Sequence, residues 1–275
     1  MSNKIAFVFP GQGSQSVGML TGLAAEHGVV RDTFGEASDA LGSDLWELVS
    51  DGPKEVLDRT ENTQPAMLAA GVAVWRVWNA AKGAQPRWMA GHSLGELTAL
   101  VCAGSIQFGD AVRLVANRAR FMQEAVPRGS GAMAAVLGLS DEQVGSLCAE
   151  VAEDQVIEPV NFNSPGQVVI AGHAQAVERA VSAAKTAGAK RALRLPVSVP
   201  SHCALMRPAA ERFGVELGAV PVQSPAIPVL HNVTVARASG PDDIRDLLVR
   251  QLYSPVRWAE TVGALASEGA DTLVE

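Results

Sequence analysis

WMAGHSLGELTALV, residues 88–101, carries the strongest structural signal in the chain. Trp88-Met89-Ala90 is a short apolar approach, and behind the glycine-flanked Ser93 the residues Leu94, Leu97 and Val101 recur at helical spacing. The predicted order is strand, sharp turn, helix. In that context Gly91-His92-Ser93-Leu94-Gly95 fits G-x-S-x-G as a nucleophile elbow rather than an ordinary glycine turn. Small residues beside the serine let a strained turn lift its Oγ into a cleft. The amide of Leu94, at the helix N-terminus, is then placed to face a developing oxyanion.

Before this stretch, residues 4–9 (KIAFVF) form a continuous apolar run ended by Pro10-Gly11, as in a strand buried on both faces. Segments from Gly18 to about Ala80 read as helices, with Pro65 positioned to open an apolar helix over 66–80. The texture changes at Pro127-Arg128-Gly129-Ser130-Gly131, a predicted hinge. A strand over 132–139 follows, then a helix to about 152 opened by a capping box of Ser140 and Gln143. Strands over 156–163 and 167–171 flank the turn Ser164-Pro165-Gly166, and a helix over 174–187 leads to a strand over 190–196. That order, βαββαβ, is the ferredoxin-like split unit, and we read residues 128–198 as a small subdomain inserted in a large α/β domain of residues 1–127 and 199–275. After Pro200 come a helix over 205–218, a strand over 227–233, and a helix opened by Pro241, Asp242 and Asp243. Asp271 to Glu275 reads as the start of a strand with nothing after it.

Length and composition fit this organisation. The 275 residues, 48% hydrophobic and 19% charged, are those of an ordinary globular protein. Acids outnumber Lys and Arg by 29 to 22, which argues against a general nucleic-acid surface. The apolar start, Ile5 to Phe9, is too short for a signal-peptide core, and the longest apolar run, Met67 to Trp75, falls well short of the roughly 20 residues of a membrane span. Cys102, Cys148 and Cys203 share no metal or disulfide spacing and read as reduced small hydrophobes. A cytoplasmic location, without membrane or metal, is expected.

A nucleophilic serine needs a base, and five histidines are available. His27 sits in a predicted surface loop and His173 at a strand end, while His92 lies inside the elbow and His231 reads as a core histidine. His202, in Val199-Pro200-Ser201-His202-Cys203, lies where the chain re-enters the large domain and is the better candidate. No aspartate offers itself for a triad. The Pro10-to-Ser14 turn is not a dinucleotide loop, because Ser16 stands where G-x-G-x-x-G requires its third glycine.

Taken together, FVFPGQGSQ at 7–15, TQPAML at 63–68, GHSLGE at 91–96, NRARFMQ at 117–123, NFNSPGQVVIAG at 161–172 and VSVPSHCALM at 197–206 resemble the malonyl-CoA:acyl carrier protein transacylases of fatty-acid and polyketide synthesis. The resemblance spans nearly the whole chain. It implies an α/β-hydrolase-like core with a ferredoxin-like subdomain. It also implies Ser93 as nucleophile, His202 as base, and Gln12 beside the Leu94 amide in the oxyanion hole. Arg118 would bind the malonyl carboxylate, and Asn163 would line the pocket unless its side chain serves the hairpin turn. Gln251 matches the residue whose backbone carbonyl orients the histidine. The implied substrate is malonyl-CoA and the partner acyl carrier protein, with no metal or redox cofactor and a monomeric enzyme. Lys190, Arg191 and Arg194 are candidates for meeting an acidic carrier protein, or else charges guarding an edge strand. The family continues past a Val-Glu like Val274-Glu275 with a Gly-Pro-containing segment and a last helix, whose loss is expected to weaken packing of the large domain. An esterase and a non-catalytic docking module are the competing readings; the cation Arg118 opposes the first, and a covalent malonyl adduct would exclude the second.

Overall fold

In the computed structural model, which describes residues 4–197 and 199–275, the strands are β1 (Ile5–Phe9), β2 (Trp88–Gly91), β3 (Gly131–Leu137), β4 (Ile157–Ser164), β5 (Gln167–His173), β6 (Arg191–Arg194), β7 (Val229–Leu230) and β8 (Thr272–Val274). They make two sheets, ordered β7-β2-β1-β8 and β4-β5-β3-β6. The first is parallel throughout. Its strands are wholly buried at β1 and β2, which is why their sequences are unbroken apolar runs without alternation. The second is antiparallel, with its own core built from residues such as Val136, Ile170 and Val177. The chain is therefore a mixed α/β protein built on two sheets.

Local rules account for most element boundaries. Ser140 and Gln143 form both bonds of the capping box that opens the helix Asp141–Val151. The helix Pro241–Gln251 starts with proline at its first turn and acids behind it. Two expectations need correction. The helix around Pro65 runs over Thr60–Ala80, so the proline lies inside it and does not open it. Its start is fixed earlier, where Asn62 and Thr63 donate backbone N–H groups to Arg59 and the Thr63 hydroxyl donates to the Leu57 carbonyl at 2.6 Å. The strand expected over 227–233 is only Val229–Leu230, because the His231 backbone turns to pair with Val235 and Ala236 and the Asn232 N–H goes to a buried side-chain network described below.

The two sheets meet close to the elbow. Val256, just before the helix Trp258–Ser267, donates to the Val160 carbonyl at 2.8 Å and accepts from Phe162 at 3.0 Å, so the large core grips β4 directly. The expected second boundary falls at Ser198, which lies outside the described residues. Leu195, Val197 and Val199, on either side of it, line a cavity between the two sheets.

Candidate active site

Between β2 and the helix Leu94–Cys102 the backbone of Ser93 takes φ 51° and ψ −109°, a conformation costing a non-glycine residue about 1–3 kcal/mol. Both glycines of the motif are required sterically: a Cβ on Gly91 would collide with the backbone of Gly95, and one on Gly95 with the Phe9 carbonyl. The turn is held from outside by Asn232. Its Oδ1 accepts from the Ser93 N–H at 2.8 Å, and its Nδ2 donates to the Gly91 carbonyl at 2.7 Å. Asn232 is itself fixed by Glu96, whose Oε2 accepts the Asn232 N–H at 2.8 Å while Oε1 binds His231 Nδ1 at 2.8 Å. Glu96, His231 and Asn232 are all fully buried, so the strained turn rests on a satisfied polar network.

The lifted Ser93 Oγ lies 2.8 Å from His202 Nε2. His202 Nδ1 is 2.8 Å from the Gln251 carbonyl, an obligate acceptor, so the ring proton sits on Nδ1 and Nε2 presents its lone pair to the serine. Burial pushes the imidazole down to about 3, Arg118 adds to the shift, and the Gln251 carbonyl opposes it. The resting ring is neutral. The remaining histidines do other things. His92 turns its Nε2 to Asn163 Oδ1 at 2.9 Å and lays its ring edge-on to Trp258. His173 accepts from the Val156 N–H through Nδ1 at 2.9 Å, and His27 caps the end of the helix Thr21–Glu26.

Arg118 is 1% exposed, the largest fully buried side chain of the fold. One terminal nitrogen donates to Gln64 Oε1 at 2.8 Å; the other donates to Gln251 Oε1 at 2.9 Å and lies 3.4 Å from Ser93 Oγ. Its Nε has no hydrogen-bond partner among the described residues. Burial pushes the guanidinium down to about 10 and Glu96 pulls it back up, which leaves it cationic at neutral pH. Gln251 links the parts: its backbone holds His202, and its side chain joins Arg118 to the Ser93 carbonyl, at 3.0 Å.

These groups face a cavity of about 110 Å³ whose wall also includes Gln12, Leu94, Met133 and Asn161. Gln12, on the loop after β1, donates to Thr60 Oγ1 at 3.2 Å. Leu94 occupies the first helical position, where backbone N–H groups lack intrahelical acceptors. Asn163 is not part of the cavity wall. Farther along β4, it reaches His92 across the sheet junction, while Asn161 lines the cavity with a buried Oδ1 that has no hydrogen-bond partner among the described residues. Arg191 and Arg194 are exposed on β6 and Lys190 just before it, and Arg194 is ion-paired with Glu178 at 3.0 Å. Gln64, Asn232 and Glu96 were not singled out from sequence. Two of them lie inside the quoted motifs TQPAML and GHSLGE, but no local pattern distinguishes a network glutamine or glutamate from a surface one.

A hydroxyl beside a neutral imidazole and a buried cation can take up an acyl group that carries an anion. A family model described as acyl transferase domain matches residues 6–275. The malonyl CoA-acyl carrier protein transacylase of Escherichia coli O157:H7 is 60% identical over 272 residues, covering 99% of this chain and 88% of that protein. The solved malonyl CoA-acyl carrier protein transacylase of Coxiella burnetii superposes with TM-score 0.98 at 51% identity, covering 99% of this chain and 86% of that one. A malonyl-transacylase solved in complex with a type II polyketide synthase acyl-carrier protein gives TM-score 0.98 at 57% identity, with 99% and 88% covered. Site, family match and relatives agree across the whole chain, which belongs to the acyl transferase domain family.

Proposed function

We propose that this protein transfers a malonyl group from malonyl-CoA to the phosphopantetheine thiol of acyl carrier protein through a malonyl ester on Ser93. The observation that carries the reading is the meeting of a base and a cation at one hydroxyl oxygen: Ser93 Oγ lies 2.8 Å from His202 Nε2 and 3.4 Å from the Arg118 guanidinium. With the malonyl carboxylate on Arg118, His202 takes the Oγ proton as Oγ bonds to the thioester carbon. The oxyanion is held by the Leu94 amide and Gln12, collapse breaks the C–S bond, and coenzyme A leaves with the proton from His202. In the second half the carrier thiol gives its proton to His202, its sulfur bonds to the ester carbon, and Ser93 leaves and is reprotonated. The scheme uses no metal or redox group. Intact-mass measurement after mixing with malonyl-CoA tests it: a stoichiometric malonyl adduct on Ser93 is expected, and an unmodified protein that still binds carrier protein would leave only a docking module.

The neutral state of His202 gives a pH prediction. A base pushed down to about 3 from 6.5 stays unprotonated through the range where an ordinary histidine titrates. Acylation kcat/KM, which reports the free enzyme, should therefore be level between about pH 8 and 5, with no inflection near 6.5. The same shift destabilises the fold in acid: the stability carried by the neutral ring is complete above 6.5 and is lost as pH falls towards about 3. A base limb centred between 6 and 7 would show that the ring is not held neutral by burial.

The strand order β4-β5-β3-β6 with helices after β3 and β5 supports the ferredoxin-like reading of residues 128–198, set into an α/β-hydrolase-like domain of 1–127 and 199–275. A cytoplasmic, monomeric enzyme is part of the same proposal; separately, no helix among the described residues is long and apolar enough to cross a membrane. For the carrier protein, β6 is the favoured approach, because the chain leaving it, Leu195 and Val197, lines the cavity. Arg194 is already paired with Glu178, so Lys190→Glu with Arg191→Glu is the informative change. It should raise the KM for carrier protein at low salt, lose that effect at high salt, and leave acylation by malonyl-CoA unaltered. Equal carrier kinetics at low salt would place the docking surface elsewhere.

A further inference from the structure

A fully buried arginine normally has a carboxylate beside it, since an uncompensated buried charge is costly. Even solvent-accessible arginines of this fold have one, as Arg76 has Glu36, Arg113 has Asp110 and Arg212 has Glu124. Arg118 does not. Its two strong acceptors are amide oxygens, Gln64 Oε1 at 2.8 Å and Gln251 Oε1 at 2.9 Å. The carboxylate that influences it, Glu96, has its oxygens committed to His231 and to the Asn232 N–H, and makes no hydrogen bond to the guanidinium. A glutamate at position 64 would have the same shape and would bind this cation more strongly.

We propose that Gln64 is a specificity-determining residue: a neutral acceptor that fixes the Arg118 guanidinium while leaving its charge uncompensated for the carboxylate of the incoming acyl group. The inference rests on the assignment of Arg118 as the carboxylate-binding residue. Gln64 is 2% exposed and borders the cavity. Its Nε2 points to Met122 Sδ at 3.6 Å, a weak acceptor, so the amide orientation is set by the donor it faces, Arg118. Gln251 shares the role, but it also holds Ser93 and His202, so its replacement disturbs the base as well as the cation. At Gln64 the charge question is separable.

The test compares Ser93 acylation by malonyl-CoA and by acetyl-CoA, followed by intact mass, in wild type, Gln64→Glu and Gln64→Met. Gln64→Glu neutralises the cation in advance and sets a like charge against the malonyl carboxylate. Malonyl acylation should fall by on the order of a hundredfold while acetyl acylation stays within a few-fold, so the substrate ratio collapses. Gln64→Met removes the acceptor without adding charge and should keep most of the malonyl preference. An equal fall for both substrates in Gln64→Glu, or an equal loss of preference in Gln64→Met, would make Gln64 a packing residue and overturn the proposal. If Gln64→Glu does not fold, Gln64→Asp places a carboxylate at the same residue and is read by the same ratio with the same outcomes. Absence of a malonyl adduct in wild type would instead sink the reading of the site itself.

Discussion

Ser93→Ala is expected to keep its fold and to take up no malonyl group at any time of incubation with malonyl-CoA. The fold should survive because the turn is braced through the Ser93 N–H and the Gly91 carbonyl, both of which an alanine leaves to Asn232. The adduct should vanish because Ser93 Oγ is the hydroxyl that, among the described residues, is bonded to His202 Nε2. Cys203 is next in sequence to His202, yet burial pushes its thiol up to about 12, and its Sγ is turned to the Pro200 carbonyl at 3.1 Å. His202→Ala is expected to slow both half-reactions by about 10²–10⁴, since one imidazole accepts the proton in each direction. A full malonyl mass shift in Ser93→Ala would remove Ser93 from the mechanism. Unchanged acylation in His202→Ala would send the search for a base back to His92 or His231.

What could be read from sequence was what is written locally. The elbow is legible because steric need fixes two glycines around one serine, and the helix Asp141–Val151 because a serine and a glutamine cap it within three residues. The succession of strands and helices over residues 131–194 is legible as well, because its apolar runs are bounded by turn residues such as Ser164-Pro165-Gly166. The failures share a different cause. Pro65 was expected to start a helix, but Arg59 had already supplied the acceptor for the first turn. Residues 231–233 were read as part of the strand that begins at Ile227, but His231 and Asn232 are claimed by Glu96, 135 and 136 positions away, and no window of sequence contains both partners. Asn161 and Asn163 are indistinguishable on paper; only the packing of β4 against the elbow turns one to the cavity and the other to His92. The neutral surroundings of Arg118 are of the same kind, being assembled from Gln64 on one helix and Gln251 at the end of another.

Arg118→Ala should separate the two acyl substrates more sharply than any other single change at the site. A planar guanidinium holds a carboxylate by two parallel charge-assisted bonds, and acetyl-CoA offers only a methyl group in its place. Losing one partner of a buried charge pair costs roughly 3–5 kcal/mol, so malonyl acylation is expected to drop by about two to four powers of ten in kcat/KM. Acetyl acylation should hold steady or rise, for two reasons that the geometry makes independent. The penalty of leaving a buried cation unpaired against a neutral acyl chain disappears. The second-largest influence depressing His202, the Arg118 charge, disappears with it, so the base beside Ser93 Oγ becomes stronger. Working against both gains, the amide oxygens of Gln64 and Gln251 lose their donor in a buried place, which limits any rise. Arg118→Lys should recover part of the malonyl rate, because an ammonium restores the charge without the fork. Side-by-side kcat/KM values for malonyl- and acetyl-CoA in wild type and the two variants give the measurement. If both substrates fell by the same factor in Arg118→Ala, the arginine would be a strut for Gln64 and Gln251, and the preference for a carboxylated acyl group would have to come from elsewhere in the cavity wall.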